Sequence, residues 1–154
     1  MEAIQTLRGC GLLKSFTDVG VKILASIAQP RTFGPGEAIF RQGEDSDAMW
    51  VIGAGQASII LEREEGEPQE IGQVGPGDVI GELALIAGGK RMVSVITDGP
   101  LQAVRITRLE LNGLQRKKPQ ACLKLLMVIS KQLGKRVAED GEIFRRIITA
   151  ALPD

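Results

Sequence analysis

Residues 81–91 read Gly81-Glu82-Leu83-Ala84-Leu85-Ile86-Ala87-Gly88-Gly89-Lys90-Arg91, or GELALIAGGKR. One carboxylate and one guanidinium stand nine residues apart, framed by an apolar turn and a double glycine. A surface ion pair requires no such frame. Strand-like residues bracket the stretch, Val79-Ile80 before it and Val93-Ser94-Val95-Ile96 after it. Leu83 to Ala87 favour a single helical turn, and Gly88-Gly89 end it. The start of such a turn offers unpaired amides to an anion. Arg91 returns across the same opening, and its planar fork suits a phosphate. Glu82, at the start of the turn, can accept from a sugar hydroxyl. The pattern therefore calls for a small ligand bearing both hydroxyls and negative charge.

Outward from this stretch, short apolar runs alternate with glycine punctuation from Thr32 to Ile106. The glycines fall at 34–36, 43, 53–55, 75–77 and 88–89. Strands are predicted at 38–40, 49–52, 57–61, 93–96 and 101–106, a spacing typical of an all-β sandwich or barrel. Residues 62–70 (EREEGEPQE) read as a solvated hairpin tip. Helical patterns flank this region. Residues 2–8 and 17–28 are short helices before it, the second capped at Thr17 or Asp18 and ended by Pro30. After it come a short helix through Leu109, Leu111 and Leu114, a long one over 120–139, and a last amphipathic one carrying Ile143, Phe144, Ile147 and Ile148. In the long helix Cys122, Leu125, Leu126, Ile129, Leu133 and Val137 recur at three- and four-residue intervals. Leu123, Met127 and Val128 widen its apolar surface, so two faces require burial. The fold class is α+β: a β-barrel of the double-stranded β-helix or jelly-roll kind, with helices at both ends.

Composition narrows the function. The chain of 154 residues fits one domain, and none of its residues is histidine. That removes histidine metal sites and histidine-activated nucleophiles, so neither a metal nor a catalytic residue is assigned and the expectation is a non-enzyme. No apolar run reaches the roughly 18–20 residues of a membrane span. The start, MEAIQTLRGC, lacks the order of a signal peptide, and Cys10 and Cys122 read as reduced thiols, which together suggest a cytoplasmic protein. Net charge is zero, yet residues 105–146 hold eleven Lys/Arg against four Asp/Glu. This reads as a solvated basic helix face or as a surface for an acidic partner.

The stretch closely resembles the phosphate-binding cassette of cyclic nucleotide-binding domains, the sensors of protein kinase A regulatory subunits, cyclic-nucleotide-gated channels and catabolite activator proteins. Family members carry Gly-Glu-Leu-Ala, a short variable loop, then Arg and small or hydroxyl residues; here the order is GELA, LIAGGK, RMVSV. PGEAIFRQGEDSDAMWVIGAGQASI resembles the family's entry strands, and GPGDVIGE its approach to the cassette. The resemblance spans roughly residues 5–136. It implies that Glu82 binds the ribose 2′-hydroxyl and Arg91 the cyclic phosphate. Gly81 would allow close backbone approach, with the Ala84 and Met92 amides completing the phosphate cage. Leu83 and Val93 belong to the same ligand-binding set, and Ser94 falls where the family often has Thr or Ser near the ligand. Met92 and Val93 depart from the small residues usual after the arginine. Without a threonine hydroxyl at 92, cAMP is favoured over cGMP as ligand, and no other cofactor is implied.

The expected function is a cyclic nucleotide sensor whose C-terminal helix moves on binding. Residues 1–136 would form the sensor with its flanking helices, and 137–154 a helical tail. A homodimer through 120–139, seamed by Leu126, Ile129, Leu133 and Val137, or an unseen effector domain, is the expected partner. The alternatives are a degenerate interaction module that binds nothing, or a sensor excised from a DNA-binding regulator or channel. Too few residues follow Arg136 for a helix-turn-helix, so direct DNA binding by this chain is not expected.

Overall fold

The computed structural model describes residues 2–151, without the side chains of residues 143, 144, 147, 148 and 151. Two short helices open it, α1 (Ala3–Arg8) and α2 (Asp18–Ala25), with a 3-10 turn over Gly11–Leu13 between them. Thr17 caps α2, its hydroxyl accepting from the Gly20 amide at 3.1 Å. Eight strands follow: β1 (Gln29–Phe33), β2 (Ala38–Phe40), β3 (Ala48–Ala54), β4 (Ala57–Leu61), β5 (Gln69–Val74), β6 (Val79–Ile80), β7 (Ser94–Thr97) and β8 (Leu101–Thr107). Three helices close the described chain: α3 (Arg108–Lys117), α4 (Pro119–Glu139) and α5 (Gly141–Ala151). Thr107 caps α3 through the Glu110 amide at 3.1 Å, and Pro119 opens α4 at a position where a missing N–H costs nothing.

The strands form two antiparallel four-stranded sheets, ordered β1-β8-β3-β6 and β2-β7-β4-β5. This is the α+β jelly-roll arrangement the sequence predicts, with one correction. No ladder joins the two sheets, so they face each other as an open roll and not a closed barrel. Within the first sheet β3 is buried on both faces, which is why it reads as a continuous apolar run. Met49 and Val51 point to the helices and join Leu7, Leu24, Ile106, Leu125 and Ile129. Trp50 and Ile52 point into the roll and join Phe40, Ala57, Ile80, Val95, Leu101 and Ala103. Trp50 is 6% exposed and meets Phe33 edge to face at 5.6 Å.

β1 and β5 are the strands the sequence does not announce. β1 contains Pro30, which an edge strand tolerates, and β1 lies at the end of its sheet. β5, with Gln69, Glu70, Gly72 and Gln73, occupies the edge of the other sheet and begins inside the supposed hairpin tip. α2 stops at Ala25, short of the predicted end at 28, and β1 begins at Gln29. The apolar face predicted from residues 143–148 falls on side chains outside those described.

Helix α4 requires a second correction. Cys122, Leu125 and Ile129 are its buried residues and pack on the domain's own core. Ile129, 1% exposed, therefore cannot belong to a seam with another molecule. The apolar face left outside is Leu123, Met127 and Leu133, each at least 41% exposed, with Leu126 and Val137 half-buried beside them. Leu125→Ala should cost about 2–5 kcal/mol through transfer loss and an unfilled cavity, whereas Leu123→Ala should change stability by about 0.5 kcal/mol or less. Urea unfolding of the two variants measures the contrast.

Candidate functional site

The turn at Glu82–Leu85 is a 3-10 helix entered through Gly81, whose φ of 70° lies in the left-handed region. Space as well as conformation demands glycine here. A Cβ at Gly81 would stand 2.2 Å from Arg91 Nη1 and 3.1 Å from the Ala48 carbonyl. The sequence predicts helix from Leu83 to Ala87; the turn instead starts one residue earlier and ends at Leu85. Within it the Ala84 amide donates to the Gly81 carbonyl at 3.1 Å. The amides lacking an intrahelical acceptor are therefore those of Glu82 and Leu83, not that of Ala84.

Arg91 is 6% exposed. Its Nη2 donates to the Ala48 carbonyl at 2.7 Å, and its guanidinium lies 4.0 Å over the Phe40 ring. Its Nε is buried with no hydrogen-bond partner, and no carboxylate forms an ion pair with it among the described residues. Burial pushes its pKa below the ordinary arginine value, while Asp47 and Glu44 at longer range oppose that shift. The group nonetheless remains a cation. A buried cation without a counter-charge is costly, and this one faces the turn that carries Glu82.

The backbone of Arg91 is pinned by residues 42–47. The Arg91 amide donates to the Glu44 carbonyl at 2.8 Å, and the Arg91 carbonyl accepts from the Gly43 amide at 2.9 Å. The Ser46 amide donates to the Gly89 carbonyl at 2.8 Å, and Lys90 pairs with Asp45 beside these bonds. Arg108, at the start of α3, lies against Gly88, where a Cβ would come within 2.9 Å of its Nη1.

Glu82 is 8% exposed and holds an ion pair that the sequence reading misses. Arg136, on α4, donates through Nη1 to Glu82 Oε1 at 3.2 Å. The signal was available in the spacing. Leu125, Ile129, Gln132 and Arg136 continue one helical face, so a cation extends the core-facing stripe toward the cassette.

The remaining predicted residues divide. Met92 is 76% exposed, so its side chain stands in solvent and does not crowd the opening. Leu83 is 38% exposed at the lip, Ala84 is buried, and Val93 is half-buried against the cluster inside the roll. Ser94 is buried on another side. Val95 points into the roll, so Ser94 points out of it. Its hydroxyl accepts from the Gln42 amide at 2.8 Å and donates to Glu62 Oε1 at 3.2 Å. It is thus committed to the protein framework. Among the described residues no cluster of three or more His, Cys, Asp or Glu could hold a metal ion.

The turn thus brings a buried guanidinium without an ion-pair partner among the described residues and a buried carboxylate into one cassette. Residues 30–118 match the cyclic nucleotide-binding domain family. The chain belongs to that family. Among its relatives, a CRP-like cAMP-activated global transcriptional regulator of Mycobacterium tuberculosis is 26% identical over 131 residues, covering 85% of this chain and 58% of the regulator. The chain thus spans little more than half of that relative's length. A cyclic nucleotide-binding-like protein from Brucella abortus is 31% identical, with a TM-score of 0.64 over 75% of this chain and 99% of that one. The N-terminal domain of a Streptomyces coelicolor transcriptional regulator shares the fold, with a TM-score of 0.77, 22% identity, and coverage of 85% and 94% of the two chains. This cyclic nucleotide-binding domain has no described helix long and apolar enough to cross a membrane.

Gly81→Ala should drive its Cβ into the Arg91 guanidinium and impose a strained φ. A stability loss of about 2 kcal/mol or more is expected by thermal unfolding, against about 0.5 kcal/mol or less for Gly99→Ala, where the added Cβ meets nothing within 4 Å.

Proposed function

We propose that this domain senses a cyclic nucleotide, with cAMP as the preferred ligand, and reports binding through α4. The carrying observation is the Arg91 guanidinium, buried with Nε unpartnered. In this reading it grips the cyclic phosphate while Glu82 takes the ribose 2′-hydroxyl. The preference for cAMP is supported by the name of the Mycobacterium tuberculosis relative and by Met92, which places no hydroxyl beside Arg91. The Glu82 and Leu83 amides, with that of Met92, take the cage role first given to Ala84 and Met92. Ser94 supports the wall and does not contact the ligand. The domain performs no chemistry of its own: it binds and transmits.

Transmission rests on Arg136. A ribose hydroxyl reaching Glu82 meets a carboxylate already paired with α4. Ligand binding then alters the partner set of Arg136, and the position of α4 responds to the extent that the two arrangements differ in energy. The same ion pair favours the second reading, an interaction module in which Arg136 satisfies Glu82 permanently. Calorimetric titration separates the two. Wild type should bind cAMP, and Arg91→Ala should weaken it by about 2–4 kcal/mol. Wild-type and variant titrations showing equal or no heat would remove the sensor reading and leave the module.

The outward apolar face of α4 supports a homodimer through Leu123, Leu126, Met127, Leu133 and Val137. The basic residues of the same helix oppose close approach of two copies, so association should strengthen as salt screens them. Sedimentation at low and high salt should show wild type associating and Leu133→Glu monomeric. A wild type that remains monomeric in both would retire the dimer.

A further inference from the structure

Arg91 is held by backbone bonds to residues 43–44, so whatever fixes that segment also fixes the guanidinium. The fixing group lies on the far side of the sheet. Gln42 leaves β2 and places its backbone amide on Ser94 Oγ at 2.8 Å. Its side-chain amide pairs both ways with Glu62 at the end of β4: Nε2 donates to the Glu62 carbonyl at 3.1 Å, and the Glu62 amide donates to Oε1 at 2.8 Å. Ser94 closes the ring by donating to the Glu62 carboxylate at 3.2 Å. Three residues from three separate segments thus satisfy one another, with Ser94 only 1% exposed at the centre. The next residues, Gly43 and Glu44, are the ones bonded to Arg91.

We propose that Gln42, Ser94 and Glu62 form a positioning clamp that holds the Arg91 phosphate grip in its competent place. None of the three needs to touch the ligand. If the clamp opens, the 42–47 segment gains freedom and Arg91 spends part of its time misplaced. Apparent affinity falls in proportion to the competent fraction. The inference rests on reading Arg91 as the phosphate ligand, but the mechanical link from clamp to Arg91 stands apart from it.

The fold supplies an internal control. Ser58, on the same outward face of the same sheet, is 7% exposed and donates to Asp98 Oδ1 at 2.7 Å. It is a buried serine with a comparable bond but no connection to residues 43–44. Ser94→Ala, Gln42→Met and Ser58→Ala are compared by calorimetry with cAMP and by amide hydrogen exchange without it. Gln42→Met leaves Ser94 in place and serves if Ser94→Ala folds poorly. The clamp variants should weaken cAMP about fivefold or more and speed exchange of the Gly43 and Arg91 amides about tenfold. Ser58→Ala should leave both within about twofold, even where its melting temperature falls as far. Unchanged exchange at Gly43 and Arg91 in both clamp variants would overturn the proposal, as would equal effects from Ser58→Ala. A wild type that fails to bind cAMP would defeat the sensor reading alone, because exchange still decides the clamp.

Discussion

One guanidinium is taken out of water and given no carboxylate, and the surroundings of Arg91 are arranged to make that tolerable. Phe40 offers its negative π-face and Ala48 a carbonyl. Gly81 gives up a side chain so that Nη1 has room. Residues 43–46 tie down the backbone on either side. These contacts leave Nε without a partner, and Asp47 and Glu44 act on the charge only through space. Arg8, by contrast, is paired with Asp18 at the surface. That mismatch is the observation on which the proposed binding role rests.

Helix α4 shows how one element divides its circumference among tasks. One face carries Cys122, Leu125 and Ile129 into the core. Further along that face, Arg136 reaches the cassette. A second face exposes Leu123, Met127 and Leu133. A third carries the lysines, of which Lys124 turns back to the Ser15 carbonyl at 2.6 Å and lies over Phe16. The helix is therefore anchored firmly in its first half and meets the site in its second.

The fold was legible wherever the chain repeats a pattern with a physical period. The glycine-punctuated strands and the three-four spacing of α4 gave the architecture directly. β1 and β5 were not legible, because most of their residues are exposed and leave no apolar alternation to read. Glu82 and Arg91 could be singled out as candidates because the cassette is contiguous. Arg136 was harder: it lies 54 positions from its partner, and only its place on the core stripe hinted at an inward role. Ser94 was singled out from nearness in sequence. It is three residues from Arg91, yet strand alternation turns it to the opposite face. The open roll in place of a barrel could not be read at all, since closure depends on ladder bonds between sheets that leave no mark on composition.

Trp50 carries a practical consequence. The chain contains one tryptophan and no tyrosine, so its near-ultraviolet emission comes from a single residue. That residue lies inside the roll, edge-on to Phe33, in the same cluster as the Phe40 ring beneath Arg91. The molecule therefore has a native optical gauge at the junction of its two sheets. Its spectral position follows the polarity of that junction and the charge of Arg105, whose guanidinium lies 5.8 Å from the indole ring. Changes in packing within the roll can be followed by light without labelling the protein.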